Sequence, residues 1–203
     1  MNTFTHQEIT QMERRYRANF INSVTGCKQV HLLGTVNEGG QTNLAVVNSV
    51  FHVGANPAML GVVFRPARAE NTSLANIRRT GEYTLNNILP AFYRQAHQAS
   101  SAYPPEVSEF EACKLTPFYQ EGISAPFVSE SSIQIGLKLY EELPLKVNGT
   151  TIIIGEVTSV RLNADLIAED GYVDQHVAGS ISVAGLDSYF NNEPLGRLPY
   201  AKS

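Results

Sequence analysis

The chain has 203 residues, 43% of them hydrophobic, and a formal net charge of −4 at pH 7. This length can bury one substantial core and is near the upper end for a single compact domain. Its 15 basic residues are scattered, so no basic patch is available for a nucleic-acid backbone. Because the N-terminus lacks a signal-peptide pattern and no apolar stretch could span a bilayer, we expect a cytoplasmic protein without nucleic-acid or membrane partners.

The N-terminal segment, about residues 5–25, predicts a helix. Thr5 and Glu8 have the spacing of a capping box. Four large apolar side chains follow at helical intervals: Ile9, Met12, Tyr16 and Phe20. Gly26 comes directly after this segment and can close the helix.

The next part of the chain predicts mostly strands. Residues 30–36 and 42–51 read as two strands around a glycine-rich turn, and a third strand is predicted over 59–64. Cap residues at one end and glycine at the other predict a short helix over 69–81. A strand over 82–88 follows it.

The second half continues the β pattern after one more helix. A helix is predicted from Pro90 to about Ser101, whereas 103–130 gives no definite element. Alternating apolar residues over 133–139 and β-branched residues over 150–160 predict two strands. Many strands, few short helices and no regular βαβ alternation indicate a mainly β fold with peripheral helices, built as an antiparallel barrel.

Several common functional motifs are missing from the sequence. It contains no G-x-G-x-x-G, P-loop, H-E-x-x-H or G-x-S-x-G pattern, which argues against the enzyme classes that those motifs mark. The five histidines occur singly, and we interpret each as a surface or hydrogen-bonded residue, with no metal site. Cys27 and Cys113 are far apart and are interpreted as reduced, buried thiols.

A candidate phosphate site lies where the third strand gives way to the helix after it. Arg65 and Arg68 follow the strand, and Asn71, Thr72 and Ser73 stand at the predicted helix start. Guanidinium groups, hydroxyls and a helix N-terminus are what a phosphate dianion requires. The alternative is that Asn71 or Thr72 caps the helix and the arginines are solvated, and local sequence alone favours this more common use.

The order of these segments resembles the flavin reductase-like family, which includes the flavoredoxins. The resemblance rests on a hairpin, an Asn-Ser strand end, an Asn-Pro turn, an Asn-Thr helix start and a strand closing in asparagine, found at 26–50, 56–57, 71–77 and 81–86. Residues 185–189 and 195–200 near the end of the chain also resemble sequences of this family. The resemblance implies an antiparallel split β-barrel of the FMN-binding type, formed as a single domain over residues 1–203 with the helical N-terminal segment at about 5–25.

The same resemblance implies a set of cofactor-binding positions. The isoalloxazine and ribityl would run, partly through main-chain contacts, along Val46, Val47, Asn48, Ser49 and Val50. The phosphate would lie near Arg65, Arg68, Thr72 and Ser73, with Asn86 closing the site. A flavin ring needs an apolar wall with hydrogen bonds at its polar edge, so these residue types suit the cofactor.

The implied activity is that of an FMN-dependent oxidoreductase which takes electrons from NAD(P)H and passes them to flavin or a small-molecule acceptor. Hydride passage between stacked rings depends on orientation, so no catalytic acid or base is identified. His52, His176 and Tyr189 are candidate donor-side contacts, although a structural role is the more common one for each. Two alternatives stay open: a flavoredoxin-like electron carrier without pyridine-nucleotide activity, and a non-catalytic interaction barrel.

The resemblance also implies a homodimer, since such proteins complete the flavin site with a second subunit and a split barrel leaves an apolar face to cover. The segment from Pro90 to Glu130 is longer than a minimal flavin reductase needs. We expect it to shape either a substrate pocket or a dimer arm.

Overall fold

The computed structural model describes residues 1–66, 72–104 and 106–201. Its helices are α1 (His6–Gln11), α2 (Arg14–Val24), α3 (Thr72–Thr80), α4 (Tyr93–Gln98) and α5 (Glu109–Ala112). Its strands are β1 (Lys28–Gln29), β2 (His31–Val36), β3 (Thr42–Val47), β4 (Val50–Ala55), β5 (Ala58–Phe64), β6 (Glu82–Asn87), β7 (Pro117–Gln120), β8 (Ile123–Val128), β9 (Ile133–Pro144), β10 (Thr151–Leu162), β11 (Ile181–Ala184) and β12 (Ser188–Asn191). No described helix is long and apolar enough to cross a membrane.

The main sheet of the described chain has seven antiparallel strands in the order β3-β2-β6-β9-β10-β5-β4. β3 and β4 are consecutive in the chain yet form opposite edges of this sheet, so the sheet curls until its edges approach each other. Asn48 and Ser49 cross the gap between them, and the Ser49 carbonyl accepts the Val63 N–H of β5 at 3.0 Å. The result is an antiparallel barrel split between β3 and β4, which confirms the predicted fold class.

One end of the barrel is closed by α3. Leu74 and Ile77 of this helix join the hydrophobic cluster inside the barrel. Two buried polar pairs fix the helix to β2 and β3: Asn76 Nδ2 donates to Thr35 Oγ1 at 3.1 Å, and Asn43 Nδ2 donates to Ser73 Oγ at 2.8 Å. We call this the plugged end.

The other end of the barrel is open, and we call it the barrel mouth. Six of the residues that line it are Gln29, His31, Val50, Leu60, Ile135 and Gln175. Gln29 Nε2 donates to Gln175 Oε1 at 2.6 Å across the opening. The long loop after β10 therefore reaches back over this end.

A second hydrophobic cluster lies on the outer side of β2 and β3. Leu32 and Leu44 pack there with Phe92 and Ala96 from the α4 region and Phe110 of α5. These contacts explain why the segment after β6 forms helices, because each helix buries an apolar face against the sheet.

The β7–β8 hairpin covers another part of the barrel wall. Thr84 Oγ1 on β6 donates to the Pro126 carbonyl of β8 at 2.6 Å. A Cβ at Gly34 of β2 would lie 2.2 Å from that same carbonyl oxygen. Gly34 is therefore required for this close approach of β8 to the sheet.

The N-terminal helix predicted over 5–25 is two helices, and the prediction of one continuous helix was wrong. Glu13 Oε2 accepts hydrogen bonds from the N–H groups of Arg15 and Tyr16, at 2.8 and 3.0 Å. This carboxylate begins a new helix where the apolar pattern suggested a continuation. The capping box of Thr5 and Glu8 is present as predicted.

Three other predictions need correction. The strand predicted over 42–51 is divided at Asn48 and Ser49, because the chain passes there from one sheet edge to the other. The helix predicted over 90–101 is confined to Tyr93–Gln98. Both cysteines are free, but Cys27 is exposed and only Cys113 is buried, since Cys27 lies in the exposed link between α2 and β1.

Candidate functional site

The free edge of β3 offers main-chain groups to a ligand. The Leu44 N–H faces away from β2, since it donates to Glu109 Oε2 of α5 at 3.1 Å. Alternate residues of an edge strand direct their N–H groups to the same side, so the Val46 N–H also faces the open edge. The edge is thus covered by α5 at Leu44, whereas at Val46 its main-chain donors and acceptors are exposed.

The five residues predicted to follow the flavin form one continuous segment at the split. Val46 packs against the outer hydrophobic cluster, whereas Val47 and Val50 pack against the cluster inside the barrel. Asn48 Nδ2 donates to the Gly185 carbonyl at 3.1 Å, which fixes the segment beside the turn before β12. Val46–Val50 therefore separates an outer surface from the barrel mouth.

An outer groove of about 380 Å³ lies beside that turn. Its lining residues are Pro90, Tyr93, Ile181, Asp187, Tyr189, Phe190 and Asn191. The rings of Tyr93 and Tyr189 are 5.4 Å apart and belong to the same cluster as Val46. This volume falls in the range of roughly 300–1,000 Å³ found for small-molecule and cofactor sites.

Tyr189 is the best-anchored polar side chain of the outer groove. Its hydroxyl and His97 Nδ1 are 2.9 Å apart and share a hydrogen bond. Burial, with a further contribution from the nearby Asp187 carboxylate, raises the pKa of Tyr189 above its ordinary value of 10.0. The phenol therefore stays protonated at neutral pH and can hold a hydrogen bond to a ligand.

A second, smaller cavity of about 150 Å³ lies at the start of α3. Thr72, the first described residue of that helix, is exposed and lines the cavity with Thr42 and Asn43. Ser73 is buried, and its hydroxyl accepts the hydrogen bond from Asn43. Glu109 also lines this cavity and contributes a carboxylate to it.

Of the two arginines predicted to lie near the phosphate, only Arg65 is among the described residues. Arg65 follows β5, is exposed and has no ion pair with any described residue. Arg68, together with Asn71, lies outside the described residues.

The cavity at α3 and the open edge of β3 are separated by a distance that a flavin nucleotide can span. Asn43, beside the cavity, precedes Val46 and Val47 by three and four residues on β3. At roughly 3.3 Å per residue of strand, this separation is about 10–13 Å. The two regions can therefore contact opposite ends of one extended ligand.

Asn86 does not face either region. It is fully buried, its Nδ2 donates to the Leu32 carbonyl at 3.1 Å and to Thr84 Oγ1 at 3.0 Å, and its Oδ1 accepts the Val128 N–H at 3.0 Å. Both donor hydrogens are used within the sheet, on β2 and β6, and the carbonyl oxygen ties β8 to it. We therefore leave Asn86 out of the proposed site.

The candidate donor-side residues are dispersed. Tyr189 lines the outer groove, His52 lies at the barrel mouth, and His176 is exposed with its Nδ1 2.9 Å from the Asn192 carbonyl. The described residues hold no group of three His, Cys, Asp or Glu side chains placed to hold a metal ion.

Sequence reasoning missed Tyr93, Asp187 and His31. Tyr93 lies in a segment whose pattern predicted only a helix, and Asp187 lies in a turn. His31 was interpreted as a surface or hydrogen-bonded residue, which is wrong: it is only 8% exposed, and its Nδ1 has no hydrogen-bond partner among the described residues. The available signal was its alternation with Leu33 and Thr35, which places it on the barrel-facing side of β2.

Comparison with known proteins agrees with this geometry. The family model described as flavin reductase like domain matches residues 25–179. A crystal structure of a candidate flavin reductase with a split barrel domain from Shewanella frigidimarina is 42% identical, covers 99% of this chain and 100% of its own, and has a TM-score of 0.95.

Two more distant structures share the fold. Nitrilotriacetate monooxygenase component B from Bacillus cereus is 22% identical, with 98% of each chain covered and a TM-score of 0.85. Flavoredoxin of Desulfovibrio vulgaris is 21% identical, with 86% of this chain and 92% of its own covered and a TM-score of 0.74.

Proposed function

The chain belongs to the flavin reductase-like domain family, and we propose that it is an FMN-binding oxidoreductase whose cofactor lies between the open edge of β3 and the start of α3. The single observation that carries this proposal is the placement of an exposed main-chain edge at Val46 about 10 Å along β3 from Asn43, which lines the polar cavity together with Thr72. The chemistry that FMN supplies when bound is hydride and electron transfer.

The residues of the β3 edge suit the flavin ring. The outward N–H of Val46 is placed to bond the polar edge of the ring, and the outer cluster around Tyr93 and Tyr189 supplies an apolar wall. The Asn48 to Gly185 hydrogen bond holds this segment in place, so the donors are fixed before the ligand arrives. The rest of the segment holds it to the barrel: Val47 and Val50 pack against the inner cluster, and the Ser49 carbonyl accepts the Val63 N–H.

The residues at α3 suit a phosphate. Thr72 offers a hydroxyl at the start of a nine-residue helix, where the helix dipole favours negative charge. Arg65, and Arg68 in the part of the chain outside the described residues, would add positive charge. Ser73 acts through Asn43 by fixing the first turn of the helix against β3.

The experiment is an FMN titration of the purified protein followed by anaerobic addition of NADH and then NADPH. We expect an FMN absorbance spectrum that shifts on binding, and bleaching of that spectrum by one of the two nucleotides. Reduction of added free flavin would identify a reductase. A protein that takes up no FMN would contradict the proposal and leave the interaction barrel as the alternative.

The second candidate is a flavin-binding electron carrier without pyridine-nucleotide activity. The electrostatics of the outer groove favour it, because the charged side chain among the described residues that line the groove is the carboxylate of Asp187. A pyridine dinucleotide carries a diphosphate, for which this charge balance is a poor match. Bleaching of bound FMN by a reduced protein donor, with no response to NADH or NADPH, would select the carrier.

We further propose that residues 1–203 form one cytoplasmic domain that works as a homodimer and passes electrons to free flavin or a small molecule. The exposed strand β4, with Phe51 and Val53 on its surface, is an edge that a second copy could cover. Light scattering with FMN bound should give the mass of two chains, and a monomeric mass would contradict the dimer.

A further inference from the structure

The barrel mouth contains a cavity that the proposed flavin site does not use. Its volume is about 240 Å³, and it lies at the opposite end of the barrel from α3. Val47 and Val50 pack towards this side, while the outer groove and the open edge of β3 lie on the other side of the same segment. The mouth is thus a separate space that shares a wall with the flavin site.

His31 is the unusual residue of this cavity. It is buried to more than nine-tenths, and neither ring nitrogen has a hydrogen bond to a described residue. Its Nδ1 is shielded, whereas Nε2 remains accessible. Burial lowers the pKa of His31 to about 4, so the imidazole is neutral at pH 7 and offers one donor and one acceptor.

The other walls combine apolar and uncharged polar groups. Leu60, Ile133 and Ile135 form an apolar side, and the paired amides of Gln29 and Gln175 form the rim. The described residues that line the cavity include no aspartate, glutamate, lysine or arginine. Apart from His31 and the exposed His52, no side chain of this lining can carry a charge to compensate that of a ligand, and a buried charge without a partner is strongly disfavoured.

We propose that the barrel mouth is a binding site for a small uncharged molecule with an apolar ring and one hydrogen-bonding group, which pairs with His31. An apolar cavity of roughly 150 Å³ is sufficient to hold benzene. A cavity of about 240 Å³ therefore accommodates a ring that carries one polar substituent. A carbonyl, amide or hydroxyl on the ring satisfies the otherwise unpaired imidazole, and the ring packs against Leu60 and Ile135.

The test uses benzamide as the probe, with benzoate and toluene as matched controls. Binding is followed by saturation-transfer NMR of the probe and by the ¹⁵N shifts of the His31 ring in the FMN-loaded protein. We expect benzamide to bind and to move the His31 signals, benzoate to bind at least tenfold more weakly, and toluene to bind without moving those signals.

Two variants separate His31 from the cavity itself. His31→Phe should weaken benzamide at least tenfold and leave toluene within about twofold, because only the hydrogen bond is lost. Leu60→Trp should abolish binding of both probes by filling the space. Each variant is compared with the wild type in thermal unfolding and in FMN affinity, and His31→Leu, which also lacks a hydrogen-bonding group, replaces His31→Phe if the phenylalanine variant does not fold.

Three outcomes would overturn the proposal. Benzamide could bind His31→Phe as tightly as it binds the wild type, or it could still bind Leu60→Trp. FMN could also compete with benzamide, which would make the mouth part of the flavin site. Failure of FMN to bind at all affects the proposed function only, because the benzamide measurements can be made on the protein without FMN.

Discussion

The two ends of the barrel solve the problem of buried polar groups in different ways. At the plugged end, Asn76 pairs with Thr35 and Asn43 pairs with Ser73, so the polar atoms brought in by α3 have partners. At the mouth, the buried His31 has no hydrogen bond to a described residue, and an open cavity lies beside it. The plugged end therefore has the features of a structural support, and the mouth has those of a ligand-binding site.

This difference also indicates where each proposed ligand binds. The plugged end presents its outer surface, at Thr72, to the proposed phosphate, while its interior is packed. The mouth presents its interior cavity to the proposed small molecule. Substitutions at the two ends should consequently separate stability, FMN binding and small-molecule binding from one another.

The largest expected effect is on stability at the plugged end. Ile77→Ala removes a fully buried side chain from the barrel core and should lower the free energy of unfolding by about 3 kcal/mol. Leu60→Ala at the mouth should cost about 1 kcal/mol, because that side chain is only partly buried and already borders a cavity. Urea unfolding of both variants measures the contrast, and equal losses would mean that the mouth is packed as tightly as the plugged end.

The next effect is a pH dependence that belongs to the mouth. The pKa of His31 is about 4 in the folded protein and has its ordinary value of 6.5 in the unfolded chain, since burial disfavours the imidazolium. Between these values the unfolded chain binds more protons, so stability falls as the pH drops from 6.5 towards 4, by at most about 3 kcal/mol.

Urea unfolding across this pH range checks the His31 contribution. His31→Phe should remove that part of the slope, whereas His52→Gln, at an exposed position of the same mouth, should leave it unchanged. A slope that is unaltered in His31→Phe would show that His31 is not buried in its neutral form.

A smaller loss is expected when a polar pair of the plugged end is broken. Asn76→Ala leaves the Thr35 hydroxyl buried without its donor and should cost about 2 kcal/mol. The double variant Asn76→Ala with Thr35→Val should recover part of this loss, because it removes both members of the pair. Measurement is again by urea unfolding, and a double variant less stable than the sum of the two single losses would argue against the pair.

The smallest effect concerns charge at the α3 cavity. Glu109→Gln removes a carboxylate from that cavity while keeping an oxygen that can accept the Leu44 N–H. FMN should bind roughly twofold to fivefold more tightly, about 0.5–1 kcal/mol, and riboflavin should be unaffected. Fluorescence titration with both flavins measures this, and weaker FMN binding would move the phosphate away from this cavity.

The sequence predicted most strands because the alternation of apolar residues follows from a half-buried sheet, and it predicted the family from the order of its turn and helix-start motifs. It could not predict that the β-rich run at 42–51 divides at Asn48 and Ser49, since that break comes from where the sheet edges meet and not from local propensity. It also could not show that the side-chain amide of Asn86 has its hydrogen bonds inside the sheet. His31 was missed for the same reason, because the absence of a partner depends on residues far apart in the chain.

The central claim is that the start of α3 holds the phosphate of an FMN whose ring lies at the open edge of β3. Thr72→Val removes one hydroxyl from the proposed phosphate contact and keeps the shape of the side chain. Titration of the wild type and this variant with FMN and with riboflavin should show FMN weakened about tenfold and riboflavin unchanged, since only FMN carries the phosphate. Equal weakening of the two flavins, or no change in either, would contradict the account.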